Sequence, residues 1–98
     1  MTYYVVERGA FKKILKVIEL WKQGILDWGD VIYCIADRVN VYGGPTNFGW
    51  DMEYLREHGR LKYMGEDRIV IETPLKPIVI EPVDRKIKGV FYGLHNLP

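Results

Sequence analysis

The chain has 98 residues, 14 lysines and arginines against 13 aspartates and glutamates, a formal net charge of +1, and 48% hydrophobic residues. That length makes one domain, spanning residues 1–98, able to bury its own core without disulfide staples, and it leaves no room for a second. The single cysteine, Cys34, excludes an intrachain disulfide or a cysteine metal cluster, and no apolar run approaches the ~18–20 residues of a membrane span.

The first residues, Met1-Thr-Tyr-Tyr-Val-Val, carry neither a basic leader nor a long apolar core, so a cytoplasmic, non-membrane protein is expected. Serine is absent, Gln23 is the only glutamine, and Ile, Val, Lys and Glu are abundant, a bias that points to a thermophilic source such as an archaeon or its virus. The 7 Tyr and 3 Trp supply more aromatic surface than a small core needs, so some rings are expected at an interface.

Thr2 to Glu7 alternates, is rich in Tyr and Val, and predicts a short strand before Gly9. From Phe11 the period becomes helical: Phe11, Ile14, Leu15, Val17, Ile18, Trp21 and Ile25 cover one face, Lys12, Lys16, Glu19 and Gln23 the other, and the helix should end near Gly24. Asp27 or Asp30 caps a second helix whose Val31, Ile32, Ile35 and Val39 face the core, with Asp37, Arg38 and Asn40 outward. Gly43, Gly44 and Pro45 break the chain before Thr46 or Asn47 caps a third helix. There Phe48, Met52 and Leu55 recur at helical spacing, and Gly59 ends the run.

Leu61, Tyr63, Ile69 and Ile71 then alternate around Gly65-Glu66-Asp67. A loop of those three residues puts these four side chains on one face and Lys62, Met64, Arg68 and Val70 on the other. A two-residue Gly65-Glu66 loop is the alternative, but it segregates apolar from charged residues less well. Pro74 and Pro77 end the hairpin. A second pair is expected from Ile78–Ile80 and Lys86–Tyr92, turning around Pro82, Val83 and Asp84, and the tail from His95 to Pro98 is expected to be disordered.

Three helices followed by a hairpin, over roughly Lys12 to Thr73, resemble the winged helix-turn-helix superfamily. The resemblance implies an α+β fold, a three-helix core with a β-hairpin wing and additional N- and C-terminal strands. It also implies a small DNA-binding regulator, a homodimer, whose third helix reads double-stranded DNA while the wing touches phosphate. Carried onto this chain, the contacts would be Thr46, Asn47, Trp50, Asp51 and Tyr54 on the third helix, with Lys62 and Arg68 on the wing. Arg60, Arg85, Lys86 and Lys88 could add phosphate contacts along a basic edge.

Charge bears on that expectation. Residues 1–26 hold five cations against two carboxylates, residues 60–98 seven against five, and residues 27–59, which contain the reading helix, two against six. Carboxylates held against a duplex repel it. With Phe48, Met52 and Leu55 inward, Trp50, Glu53, Tyr54 and Glu57 point outward. A protein partner meeting that aromatic and acidic face is therefore the alternative function, unless added strands cover Trp50 and Tyr54 and make them core.

The residues offer little for catalysis. Serine triads are impossible, Cys34 lies on an apolar segment, and His58 suits the C-terminal turn of the third helix better than a metal. Asp84-Arg85-Lys86, with Glu72 and Glu81 upstream, is similar to the acid-x-Lys motif of restriction-like nucleases, which hold Mg²⁺ on paired carboxylates. The match is too short to assign catalytic or metal residues, and neither an enzymatic activity nor a cofactor is expected.

Overall fold

In a computed structural model, residues 2–43 and 51–84 are described. They form β1 (Thr2–Glu7), α1 (Arg8–Lys22), α2 (Trp28–Gly43), α3 (Met52–His58), β2 (Arg60–Met64), β3 (Ile69–Glu72) and β4 (Ile78–Val83). The fold is α+β: three helices cover one face of a four-stranded sheet of order β1-β4-β3-β2. None of these helices is long and apolar enough to cross a membrane.

Strand β1 runs straight into α1, which begins at Arg8 rather than near Phe11. Its Glu7 cap makes no side-chain cap bond. The corner is instead held by Arg8, whose Nε and Nη2 donate to the two Asp84 oxygens at 2.6 and 3.0 Å, while Nη1 donates to the Glu66 carbonyl at 3.2 Å. Phe11, Ile14 and Ile18 are buried along α1. Ile25 is not part of that face, because the helix stops at Lys22 and Gly24 (φ +82°) turns the chain away. The Ile25 N–H then donates back to Leu20 O at 2.9 Å, closing the end of the helix and leaving the Ile25 side chain in solvent.

Between the two alternatives for the α2 cap, Asp27 takes the position and Asp30 reciprocates. The Asp30 N–H donates to Asp27 Oδ1 and the Asp27 N–H to Asp30 Oδ2, both at 3.0 Å. Val31, Ile32, Ile35 and Val39 are buried as their spacing predicts. The Trp28 indole N–H donates to Leu55 O at 3.1 Å, tying α2 to α3, and its ring lies 4.8 Å from that of Trp21.

Helix α3 is shorter than expected. It starts at Met52 under an Asp51 cap, whose Oδ1 accepts from the Glu53 N–H at 3.0 Å. The expected caps Thr46 and Asn47, with Phe48 and Trp50, lie outside the described residues. At its far end Gly59 N–H donates to Leu55 O at 2.9 Å, and a Cβ on Gly59 would come within 2.7 Å of that oxygen. Steric room therefore requires glycine here, and no unusual φ is involved.

In the sheet, β1 pairs parallel with β4, and β4 and β2 pair antiparallel with β3. Strand β4 continues through Pro82 and Val83, which sit beside Val6 and Glu7, so those residues form strand where a turn was expected. Pro82 is tolerated near the strand's end. The Lys86–Tyr92 strand expectation and the His95–Pro98 tail lie outside the described residues.

The inner face presents Val6, Ile69, Ile71, Ile78 and Ile80, all without solvent exposure, to Phe11, Ile14, Ile18, Ile35 and Leu55 from the helices. Among the described residues no polar side chain is buried. The core is thus held by apolar burial alone, at about 25 cal/mol per Å² of surface removed from water.

Two glycines make a paired test of these helix ends. Gly9 sits inside the first turn of α1 with open space where a Cβ would go, so Gly9→Ala should stabilise the protein, by about 0.4–1 kcal/mol. Gly24→Ala forces a left-handed φ on a residue with a Cβ and should destabilise by a similar or larger amount. Urea titrations of both variants check the opposite signs.

Candidate nucleic-acid interface

The hairpin departs from a regular ladder at one residue. Met64 pairs with Ile69 and Tyr63 with Val70, whereas Leu61 pairs with Ile71 and Arg60 with Glu72. Lys62 is the extra residue of β2 between these two stretches, a β-bulge. The hairpin loop is therefore Gly65 to Arg68, closed by Gly65 N–H to Arg68 O at 2.9 Å, longer than either predicted loop.

This corrects the face assignment of the hairpin tip. Leu61, Ile69 and Ile71 lie on the core face as expected, but Met64 joins them and Tyr63 turns to the opposite face, 41% exposed. The bulge reverses the alternation between Leu61 and Tyr63, which burial favours: Met64 packs against the core, and the phenol reaches solvent with its hydroxyl bonded.

On the face that no described helix covers, the register aligns four side chains in one row across the strands. Tyr3 faces Val79, Val79 faces Val70, and Val70 faces Tyr63. Tyr3 and Tyr63 end the row on the two edge strands, at 59% and 41% exposure, and Val79 in the middle is buried. Lys62, Arg68, Pro77 and Glu81 complete an open groove of about 600 Å³ around this row.

The ring of Tyr63 is held in place on two sides. Its hydroxyl donates to Asp67 Oδ1 at 2.9 Å, and the Arg68 guanidinium carbon lies 4.8 Å from the ring centroid, within cation–π range. A Cβ on Gly65 would come within 2.5 Å of the Tyr63 hydroxyl, so the loop glycine leaves the space through which that hydroxyl reaches Asp67. The hydrogen bond lowers the Asp67 pKa below 3.8 and raises that of Tyr63 above 10.0.

The two wing cations predicted to contact nucleic acid, Lys62 and Arg68, are brought to this groove together. Both are exposed and carry surface ion pairs, Lys62 Nζ to Glu72 Oε2 at 3.3 Å and Arg68 Nη1 to Asp67 Oδ2 at 2.8 Å. Exposed pairs of this kind are weak and exchange readily for another anion. Arg60 is exposed on the same hairpin, its Nη1 donating to Gly59 O at 3.2 Å.

The third helix is a different matter. Tyr54 is half-buried and packs against the core, its ring 4.8 Å from the His58 imidazole, so it does not stand outward as the helical spacing predicted. Leu55 is the buried residue of α3, and Met52 and Tyr54 pack beside it at the core's rim. Asp51 is engaged in capping, and Glu53 accepts twice from Arg56 Nη2, at 2.8 and 3.1 Å. Thr46, Asn47 and Trp50, and the phosphate candidates Arg85, Lys86 and Lys88, lie outside the described residues.

Asp84 of the nuclease-like triplet is committed to Arg8, which holds its pKa below the ordinary aspartate value, and Glu72 is paired with Lys62. Among the described residues no cluster of three potential metal ligands forms. Sequence reasoning missed Tyr3, Val70, Val79, Pro77 and Glu81 as groove residues. The alternation of Thr2–Glu7 held a signal for Tyr3, but its neighbours follow from a parallel pairing between chain segments some seventy residues apart.

The chain matches no protein-family model, no curated protein and no solved structure.

The Tyr63–Asp67 bond makes a pH-dependent prediction. Because the folded Asp67 pKa lies below 3.8, the unfolded chain binds more protons in that window. The bond's contribution to stability is full above the unfolded value and is lost as pH falls through the depressed one. Tyr63→Phe should raise the Asp67 titration midpoint toward 3.8, read by carboxyl-carbon NMR, and remove that part of the acid sensitivity.

Proposed function

We propose that this chain is a small nucleic-acid-binding protein, a DNA-binding regulator of the winged-helix kind, that grips phosphate through its hairpin. The observation that carries this reading is the convergence of Lys62 and Arg68, beside the exposed Tyr63 ring, on the face of the sheet that no described helix covers. Exposed cations interleaved with an aromatic ring suit a polyanion whose phosphates alternate with flat bases.

The arrangement shifts the contact away from the third helix. With Tyr54 on the core, Asp51 engaged as a cap and Glu53 paired to Arg56, that helix offers few free groups to base edges. The same facts weaken the alternative of a protein partner docking on α3, since one of its two proposed aromatic anchors is not free to insert. A homodimer, as family members commonly form, would present two such hairpins to one ligand.

Fluorescence anisotropy with random-sequence DNA at two salt concentrations tests the reading. Affinity in the micromolar range at low salt should fall steeply as salt rises, because each neutralised phosphate releases counterions. Lys62→Glu with Arg68→Glu should abolish binding while leaving the melting temperature near that of the parent, both side chains being exposed. Absence of binding at low salt contradicts the proposal.

A further inference from the structure

We infer that the face of the sheet that no described helix covers binds single-stranded nucleic acid: bases stack on Tyr3 and Tyr63, Lys62 and Arg68 hold phosphates, and Glu81 accepts from exocyclic amino groups. This rests on the phosphate-gripping role of Lys62 and Arg68 and specifies the form of nucleic acid that the same groove takes.

The geometry of the row carries the argument. Tyr3, Val79, Val70 and Tyr63 occupy matching positions on β1, β4, β3 and β2. Three interstrand steps of about 4.8 Å set the two tyrosine backbones roughly 14 Å apart across a twisted sheet. Between them lies a valine floor without a polar atom in its side chains. Rings so separated cannot pack against each other, and each leaves its own exposed surface.

A duplex keeps its base planes stacked and shows proteins only base edges and backbone. An unpaired strand can splay its bases and lay their faces on aromatic side chains, which is how sheet surfaces generally recognise single strands. Two well-separated tyrosines flanking an apolar floor therefore favour the unpaired form. Both cations sit at the Tyr63 end of the row, where a backbone reaching β2 would pass: Lys62 precedes Tyr63 in β2, and Arg68 stacks on one face of its ring.

Among the described residues Glu81 is the one carboxylate that lines the groove, half-buried on β4 beside Val5. Among the described residues no hydrogen bond or ion pair engages it. A carboxylate near a polyanion is repulsive unless it meets a donor, and the donors that an unpaired strand brings are base amino groups and the ring N–H of thymine or guanine. Cytosine N4 and adenine N6 are amino donors at the edge of the base, whereas thymine offers one imide N–H flanked by two carbonyl oxygens that repel a carboxylate. The groove should therefore prefer amino-bearing bases to thymine.

The test compares labelled dA, dC, dT and rA oligonucleotides of about twelve nucleotides, within the site sizes of single-strand grooves, with a duplex of the same length. Single strands should bind more tightly than duplex, and dC and dA more tightly than dT. The comparison of dA with rA shows whether the strand is DNA or RNA. Tyr3→Leu and Tyr63→Leu should each weaken single-strand binding roughly tenfold, within the range set by loss of one stacked base, while Tyr63→Phe keeps it. Glu81→Gln should narrow the difference between dC and dT.

Melting curves establish that the leucine variants fold, as their exposure leads one to expect. Duplex binding as tight as single-strand binding, or folded leucine variants with unchanged affinity, would overturn the inference. If those results came with affinity that still depends on Lys62 and Arg68, the phosphate-gripping reading would stand alone. No binding of either form at low salt would remove both.

Discussion

Side chains on a β-strand alternate between faces with a period of two, so a single additional residue reverses every assignment beyond it. In this protein that residue is Lys62. Without the bulge, a regular ladder continuing from Leu61 and Ile71 would aim Tyr63 into the helix-covered core and Met64 into solvent. With it, a flexible apolar side chain packs inside, and an amphipathic ring faces outward with its hydroxyl satisfied by Asp67. The tip of the hairpin, its cation–π pair and one end of the groove all depend on that reversal.

The rest of the architecture supplies the other end. Parallel pairing of β1 with β4 carries Tyr3 to the far edge of the sheet and into register with Val79. The Arg8–Asp84 pair fixes the corner where β1 becomes α1 against the end of β4, and the Arg8 contact to the Glu66 carbonyl links that corner to the hairpin loop. The helices pack on the opposite face through aliphatic side chains and Phe11, with Trp21, Trp28 and Tyr54 at the rim. One face of the sheet thereby stabilises the molecule, and the other is left to present aromatic rings and charge.

Local patterns were legible in the sequence to the extent that the physics behind them is local. Helical periodicity located the buried stripes of α1 and α2, Gly24 and Gly59 marked helix ends, and Asp27 was one of two candidate caps. The strand at Ile78 and the strand at the N-terminus were each visible, but their partnership was not, because nothing in either segment encodes a neighbour distant in the chain. The hairpin tip failed for a related reason: Tyr63 and Met64 are both acceptable on an apolar face, so alternation alone could not detect the bulge. Of the expected contact residues, Lys62 and Arg68 share the groove, whereas Tyr54 packs against the core, the alternative that the sequence left open for it.

A nearly neutral chain can still bind a polyanion if its cations stand where its rings do, and the groove joins both on one surface. The most direct test is a titration of the isotope-labelled protein with a short single-stranded oligonucleotide, followed by NMR chemical shifts. The account predicts shifts concentrated on Tyr3, Lys62, Tyr63, Arg68, Val79 and Glu81, with the faces of α1 and α2 unchanged. Shifts confined to the helices, with that row unmoved, would contradict it.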